Sequence, residues 1–315
     1  MILAAGLGVR MLPLTALVAK PVLPVLNRPL LHWTLERLRR SGVRDVLINT
    51  HYLPRSVRRA VADGRALGLR VTWSHEREIL GTGGGPRAAR RFFGDSEALL
   101  VNGDAWFDFD LRALLRRHRE SGALATLALR PNPDPERYGP VVTGPRGVIR
   151  SLAGLPQPAA GTLSLFTGVH ILEPAILERL GPGPSDSVRD LYAPLVGEGE
   201  RLLGVRVRGA WYDFGVPSSY LASQMTLLRG LRGRGRNLLD PQASVEPGAR
   251  VESAVVGARA RVARGAHVRG SVLWDGVVVE PGARVERSVL ATGVRVMAGE
   301  RIVDQVVTTR ERQAL

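Results

Sequence analysis

The sequence predicts an α/β protein: a mostly parallel mixed sheet with helices on both faces, followed by a short β-helix. Two observations carry this expectation. Over the first ~225 residues short apolar runs alternate with amphipathic stretches, the pattern of strands joined by crossover helices. After Asn237 the helical period is lost, and small β-branched residues recur at roughly six-residue spacing, at Val245, Val251, Val262, Val268, Val278 and Val285. Pro-Gly or Gly-Ala steps fall between them, at Pro247–Ala249, Gly265–Ala266 and Pro281–Ala283.

The elements follow in order. Met1–Ala4 reads as a short buried strand. Pro29–Ser41 is a helix with Leu30, Leu31, Leu35 and Leu38 on one face. Asp45–Thr50 is a strand, Leu53–Leu67 a helix and Leu69–Ser74 a strand. A short helix is expected at Pro86–Phe93, after the glycine run. Ala98–Val101 is a strand that ends at Asn102-Gly-Asp104. Leu111–Ser121 is a helix and Ala123–Leu129 a strand. Helices near Pro174–Leu180 and Val188–Val196, a strand at Leu202–Val207 and a helix at Pro217–Leu228 complete the series. The expected division is a first domain over 1–230, a basic linker over 231–237, a β-helix over 238–305 and a tail over 306–315. A β-helix of so few coils is marginal alone, so it is expected to pack against the first domain or a second subunit, giving a homo-oligomer.

Composition narrows the function. No apolar run reaches the ~20 residues of a membrane span. Met1–Gly6 has no basic n-region or long apolar run, so no secretory leader and no membrane partner are expected. With no Cys there are no disulfides and no Cys-ligated metal. Together these fit a cytoplasmic protein. The net charge of +15 invites a nucleic-acid reading. The arginines are spread along the chain, however, and the densest run, Arg229–Arg236, lacks aromatics that stack on bases. No nucleic-acid partner is therefore expected, although a basic protein attracts small anions.

Lys20 is the sole lysine among 44 basic residues, and it lies in Leu3-Ala-Ala-Gly-Leu-Gly-Val-Arg-Met-Leu-Pro-Leu-Thr-Ala-Leu-Val-Ala-Lys-Pro21. A compact ammonium on a flexible stem acts as a point charge, which a planar guanidinium does not. Gly6-Leu-Gly8 follows a strand, yet Met11 stands where a dinucleotide motif needs Gly or Ala, and a P-loop's Gly-Lys-Ser/Thr is absent. A different phosphate loop remains, with backbone N–H groups, Arg10 and Lys20 facing anionic oxygens. Asn102-Gly-Asp104 ends a strand, where ligands of open α/β sheets sit. Asp104 is placed to hold Mg²⁺ together with substrate phosphates. Trp211-Tyr-Asp-Phe-Gly-Val-Pro217 offers a second carboxylate, Asp213, just before a helix. Alone, either Asp reads equally well as a cap or turn residue. Together with the basic loop they describe metal-assisted phosphoryl or nucleotidyl transfer.

The first string resembles the signature of the sugar-1-phosphate nucleotidyltransferases. The likeness continues through Leu80–Gly85, Asn102–Asp104, Tyr138-Gly139, Phe166–Val169 and Trp211–Pro217. The C-terminal repeats, with Ser271-Val-Leu-Trp-Asp-Gly276, resemble the left-handed β-helix of the mannose-1-phosphate guanylyltransferase branch. The resemblance implies a Rossmann-like sheet and a reaction between an NTP, GTP or UTP, and a sugar 1-phosphate. It implies that Arg10 binds the triphosphate, that Lys20 neutralises charge at the α-phosphorus, and that Asp104 and Asp213 hold Mg²⁺. Leu3, Ala4, Ala5, Gly6, Gly8, Gly83, Gly84 and Asn102 would line the nucleotide, and Gly139, Thr167 and Gly168 the sugar. GTP with mannose 1-phosphate is the first reading. UTP with an amino-sugar or muramic-acid 1-phosphate is the second.

The chain departs from the family pattern in three places. Gly154-Leu-Pro156 stands where many members have Glu-Lys-Pro, so the sugar-phosphate lysine is missing or replaced by an arginine. Gly215-Val-Pro217 replaces Gly-Thr-Pro. Relatives usually carry a few residues ahead of the first strand. Two other classes fit less well. A nucleotide-sugar-binding regulatory pseudoenzyme should lack Arg10, Lys20 or an aspartate of the pair, and all four are present. An acyltransferase would need more repeats, and His267 is the lone His among these.

Overall fold

The structure, a computed structural model, describes residues 1–232 and 236–315. The basic linker expected at 231–237 therefore lies partly outside the described residues. Two compact units are formed, one from Met1–Leu7 and Leu31–Trp211, the other from Gly8–Leu30 and Tyr212–Leu315.

The first unit is built on a nine-stranded sheet. Its strands are β1 (Ile2–Leu3), β2 (Asp45–Thr50), β3 (Arg70–His75), β4 (Ala98–Asn102), β5 (Ala125–Pro131), β6 (Val141–Thr143), β7 (Ile149–Leu152), β8 (Thr162–Leu172) and β9 (Leu202–Arg206). The order is β7-β6-β8-β4-β1-β2-β3, with β5 joined to β8 and β9. Pairing is parallel from β4 through β1 and β2 to β3, and between β5 and β9. The long strand β8 runs antiparallel to β4, β5 and β6. The sheet is thus mixed and Rossmann-like. Strand β2 is buried from Val46 to Thr50, on both of its faces, as expected when elements cover a sheet from both sides. One side is filled by Leu47, Leu100, Leu127 and Leu129 against Ile176, Leu177, Leu180, Leu191 and Tyr192.

Three helices show how local pattern and tertiary demand combine. Helix α1 (Leu30–Arg40) buries Leu30, Leu31, Leu35 and Leu38, the face read from the sequence. Helix α2 is shorter than expected, Pro54–Val61, because Ala62, Gly64 and Gly68 take positive φ; residues Arg65–Leu67 form a separate turn. Helix α3 spans Gly81–Ala88, so it begins inside the glycine run rather than after it. Glycine is a poor helix former. Here the absence of side chains is what permits packing: a Cβ at Gly84 would lie 2.4 Å from the Gly183 carbonyl oxygen, and one at Gly81 2.5 Å from that of Ser185.

In the second unit, Gly8–Leu30 forms three short 3₁₀ turns and a two-stranded hairpin of Pro24–Val25 with Arg28–Pro29. Helix α4 (Pro217–Arg232) precedes the coils. The coils repeat every seventeen residues: Leu238 pairs in parallel with Val255, then Val272, Val289 and Val306 follow in register. Ser244, Arg261, Val278 and Arg295 form a second ladder, and Arg250, His267, Arg284 and Arg301 a third. Two legs of each coil advance six residues and the third advances five. The short leg turns through Ser253, Gly270, Arg287 and Asp304, all at positive φ. Val256, Val262, Val268, Leu273, Val279, Val285, Leu290, Val296 and Ile302 fill the interior and are fully buried. Arg312–Ala314 folds back antiparallel on Gln305–Val307, which covers that edge of the last coil. Among the described residues no helix is long and apolar enough to cross a membrane.

Candidate active site

In the first unit the carboxyl ends of adjacent parallel strands finish level: Leu3 of β1 stands opposite Asn49 of β2 and Asn102 of β4. The Ala4–Gly6 loop and Asn102-Gly-Asp104 therefore leave the sheet from one end, the place where α/β sheets bind ligands. Gly103 donates to the Leu3 carbonyl at 2.9 Å, and a Cβ on it would meet that oxygen at 2.8 Å. Glycine is required there for the close approach of the two strands. Strand β8 reaches the same end. Gly168 has φ +78, and a Cβ there would lie 2.5 Å from Asn102 Nδ2. Thr167 is buried, its hydroxyl donating to the Ala128 carbonyl at 2.9 Å, and Trp211 Nε1 donates to the Thr167 carbonyl at 3.0 Å. Tyr138 packs edge-on against Trp211 at 5.7 Å between ring centroids. Asn102, Thr167 and Gly168, assigned to nucleotide and sugar, are thus brought together. Gly139 follows Tyr138 directly and is exposed, its Cβ position 2.9 Å from the Ala153 methyl.

Two residues that the sequence reading passed over tie this end together. Asn49 Oδ1 accepts the Ala4 N–H at 2.7 Å, and Asn49 Nδ2 donates to Glu76 Oε1 at 2.6 Å. Glu76 Oε2 accepts the Leu80 N–H at 3.0 Å, immediately ahead of α3. Glu76 is only 4% exposed, so its charge is held by these donors and by the positive end of a helix. Their positions, at and just past the ends of strands parallel to β4, were the available signal. Gly83 and Gly84 are tethered from behind: both N–H groups donate to the Ser185 carbonyl, at 2.9 and 3.3 Å.

In the second unit Gly8 adopts φ +68, and its carbonyl accepts the Thr15 hydroxyl and the Met11 N–H, both at 2.9 Å. A Cβ on Gly8 would lie 3.0 Å from Thr15 Cγ2 and 3.3 Å from Lys20 Cβ. Glycine at this position lets the loop fold onto Lys20. Lys20 itself is 8% exposed, whereas Arg10 is exposed. A lysine so buried in a chain that otherwise uses arginine is not a casual surface charge. Asp213 is half-buried, and a Cβ at Gly215 would stand 2.6 Å from its Oδ2.

A nucleotidyl transferase family model matches residues 1–230, and a GlmU-like C-terminal hexapeptide model matches residues 232–312. The chain belongs to the nucleotidyl transferase family. It is 33% identical over 272 residues to a mannose-1-phosphate guanylyltransferase of Mycobacterium tuberculosis, covering 83% of this chain and 75% of that protein. It is 32% identical over 264 residues to a UTP–glucose-1-phosphate uridylyltransferase of Synechocystis, covering 79% and 67%. A mannose-1-phosphate guanylyltransferase catalytic subunit beta of Danio rerio is 30% identical over 236 residues, covering 74% of this chain and 65% of the subunit. A solved Bacillus anthracis structure, described as a candidate glucose-1-phosphate thymidylyltransferase in complex with a sucrose, shares the fold. It matches with TM-score 0.62 and 22% identity over 72% of this chain and 93% of that one.

A carboxylate is the kind of donor that a hard cation takes, and each unit of this nucleotidyl transferase carries one of the two aspartates singled out in the sequence. Asp104 lies in the first unit and Asp213 in the second, and Gly215 keeps space beside Asp213 that a methyl group would fill. Among the described residues no group of three or more His, Cys, Asp or Glu could hold a metal ion. A cation bound to either carboxylate would therefore take most of its ligands from substrate phosphates and water, as Mg²⁺ commonly does.

Proposed function

We propose that this nucleotidyl transferase moves a guanylyl group from GTP to mannose 1-phosphate, releasing pyrophosphate and forming GDP-mannose. The observation that carries the reading is the intact signature, with Arg10, Lys20, Asp104 and Asp213 all present, in a chain similar to guanylyltransferases named for mannose 1-phosphate. Uridylyl transfer to a sugar 1-phosphate, an amino-sugar or muramic-acid phosphate among the candidates, is the second reading. Similarity of comparable extent to a uridylyltransferase favours it.

In the proposed reaction a phosphate oxygen of the sugar 1-phosphate attacks the α-phosphorus of the NTP. The bond from that phosphorus to the oxygen bridging to the β-phosphorus breaks, and pyrophosphate leaves with the electron pair. Bound Mg²⁺ would supply charge neutralisation on the phosphate oxygens, held by Asp104 and Asp213. Arg10 binds the triphosphate from its exposed position. Lys20 offsets the charge that builds on the α-phosphoryl oxygens, a role for which a preformed, buried point charge suits better than a mobile surface one. The Ala4–Gly6 backbone, steadied by Asn49, and the Gly83–Gly84 segment line the nucleotide. Gly139, Thr167 and Gly168 line the sugar. Positioning and charge neutralisation account for the catalysis.

The test is a pyrophosphate-release screen of four NTPs against a panel of sugar 1-phosphates. Highest kcat/KM with GTP and mannose 1-phosphate is the expected outcome. Preference for UTP would select the second reading, and no turnover with any pair would reject both.

A further inference from the structure

The hairpin that follows Lys20 has an unfavourable turn. Pro24–Val25 pairs with Arg28–Pro29, and the two residues between them, Leu26 and Asn27, both take positive φ, 51 and 60. A two-residue turn of this kind favours Asn or Gly, and a leucine in the left-handed region persists only when its surroundings hold it. The surroundings here are α4 and the coils. Gln224, fully buried, accepts the Leu26 N–H on Oε1 at 2.9 Å and donates from Nε2 to the Pro24 carbonyl at 3.2 Å. One helical turn earlier, the buried Tyr220 hydroxyl donates to the same carbonyl and accepts Trp274 Nε1 from the coils at 3.1 Å. Asn27 Nδ2 donates to the Val256 carbonyl, also on the coils, at 2.8 Å. The turn of Lys20–Val22 runs directly into this hairpin through Leu23, whose N–H donates to the Lys20 carbonyl at 3.2 Å and whose carbonyl accepts the Leu30 N–H at 3.0 Å.

We propose that the β-helix positions Lys20: Asn27, Tyr220, Gln224 and Trp274 clamp the strained hairpin, and the hairpin fixes the backbone from which the lysine extends. The four are positioning residues and touch no substrate. Gly8–Leu30 contains no strand ladder beyond the two-residue hairpin pair, so external ties must hold its register. A group that stabilises transition-state charge acts through preorganisation, and slack in its support lowers the rate more than the affinity. The coils are then part of the catalytic apparatus rather than an appended module. This inference rests on the proposed role of Lys20 at the α-phosphorus.

The full-length chain is compared as parent, Tyr220→Phe, Asn27→Gly and the pair, each also carrying Lys20→Ala. Tyr220→Phe removes two hydrogen bonds without changing shape. Asn27→Gly removes the Val256 tie but suits the turn, so it tests the clamp even where the first variant folds poorly. The pair is expected to lower kcat by about tenfold or more, the scale of a few broken hydrogen bonds, here three, with both KM values within about twofold. On the Lys20→Ala background the same pair should change kcat by less than about twofold, because nothing is left to position. An equal loss on both backgrounds would mark general weakening and overturn the inference, as would a silent pair beside an impaired Lys20→Ala. A Lys20→Ala variant at the parental rate overturns the reading of Lys20 itself, and the inference with it.

Discussion

Exchanging the carboxylate and the amide at positions 49 and 76 is a sharp test of how the sheet end is held. In the parent, Glu76 accepts from Asn49 Nδ2 and from the Leu80 N–H, and Asn49 Oδ1 accepts from Ala4. Glu76→Gln leaves one amide group facing a donor whichever way either side chain flips. That should cost about 1–3 kcal/mol for an unsatisfied buried donor. Asn49→Asp sets a second carboxylate against Glu76 across a contact of 2.6 Å, so one of the two must take a proton or move; about 3 kcal/mol is expected. Combining Asn49→Asp with Glu76→Gln restores every bond with the charge relocated. The carboxylate, now at position 49, accepts from Ala4 and from the amide at position 76, and the oxygen of that amide accepts from Leu80. Additive losses would total about 4–6 kcal/mol, whereas the double variant should lose less than about 2. With two compact units, global unfolding is a poor gauge. Hydrogen exchange at the Ala4 and Leu80 amides reads the network directly. Faster exchange in both single variants and recovery in the double variant is the expected result. Full protection in Glu76→Gln, or a double variant worse than the two singles combined, would refute the reasoning.

Four further outcomes are expected. Asp104→Ala and Asp213→Ala should each reduce turnover by more than ~100-fold with secondary structure retained, checked by pyrophosphate release and circular dichroism, since both are proposed to act on the cation rather than the core. Lys20→Arg should cost roughly 10²–10³-fold in kcat, about 3–4 kcal/mol of transition-state stabilisation, and a variant within about twofold of the parent would reduce Lys20 to an ordinary basic residue. Gly215→Ala places a methyl group 2.6 Å from Asp213 Oδ2, so it should raise the Mg²⁺ concentration needed for half-maximal rate while leaving thermal stability within a few degrees. His170 is paired with the Tyr192 hydroxyl at 2.9 Å, and burial holds its imidazole down at about 3. Its ordinary value is about 6.5, so below that pH the unfolded chain takes up a proton that the folded chain refuses. Stability should therefore fall as pH drops from about 6.5 toward 3, by about 1.4 kcal/mol per pH unit from this group. His170→Gln should flatten that slope, and an unchanged slope in denaturant titrations would contradict the assignment.

Much of this molecule is legible in its sequence because the relevant signals are local. Apolar runs marked six of the nine sheet strands but left β6, β7 and β8 unread, the leucine spacing of α1 marked its buried face, and six-residue valine spacing marked the coils. The string from Leu3 to Pro21 pointed to phosphate chemistry through residue types alone: two glycines, one arginine and the sole lysine. What the sequence could not state was decided by packing between distant segments. Helix α3 starts within a run of four glycines because the 183–185 loop needs the bare backbone of three of them, Gly81, Gly83 and Gly84. The coil repeat is seventeen rather than eighteen because one of the three legs of each coil advances five residues, not six. Asn49 and Glu76 look like ordinary polar residues until parallel pairing sets Asn49 level with Asn102 and Glu76 just past the end of the neighbouring strand. The placement of Gly8–Leu30 in one compact unit with the coils has no local signature at all. It depends on hydrogen bonds between residues some two hundred positions apart, and such contacts exist only once the chain has folded.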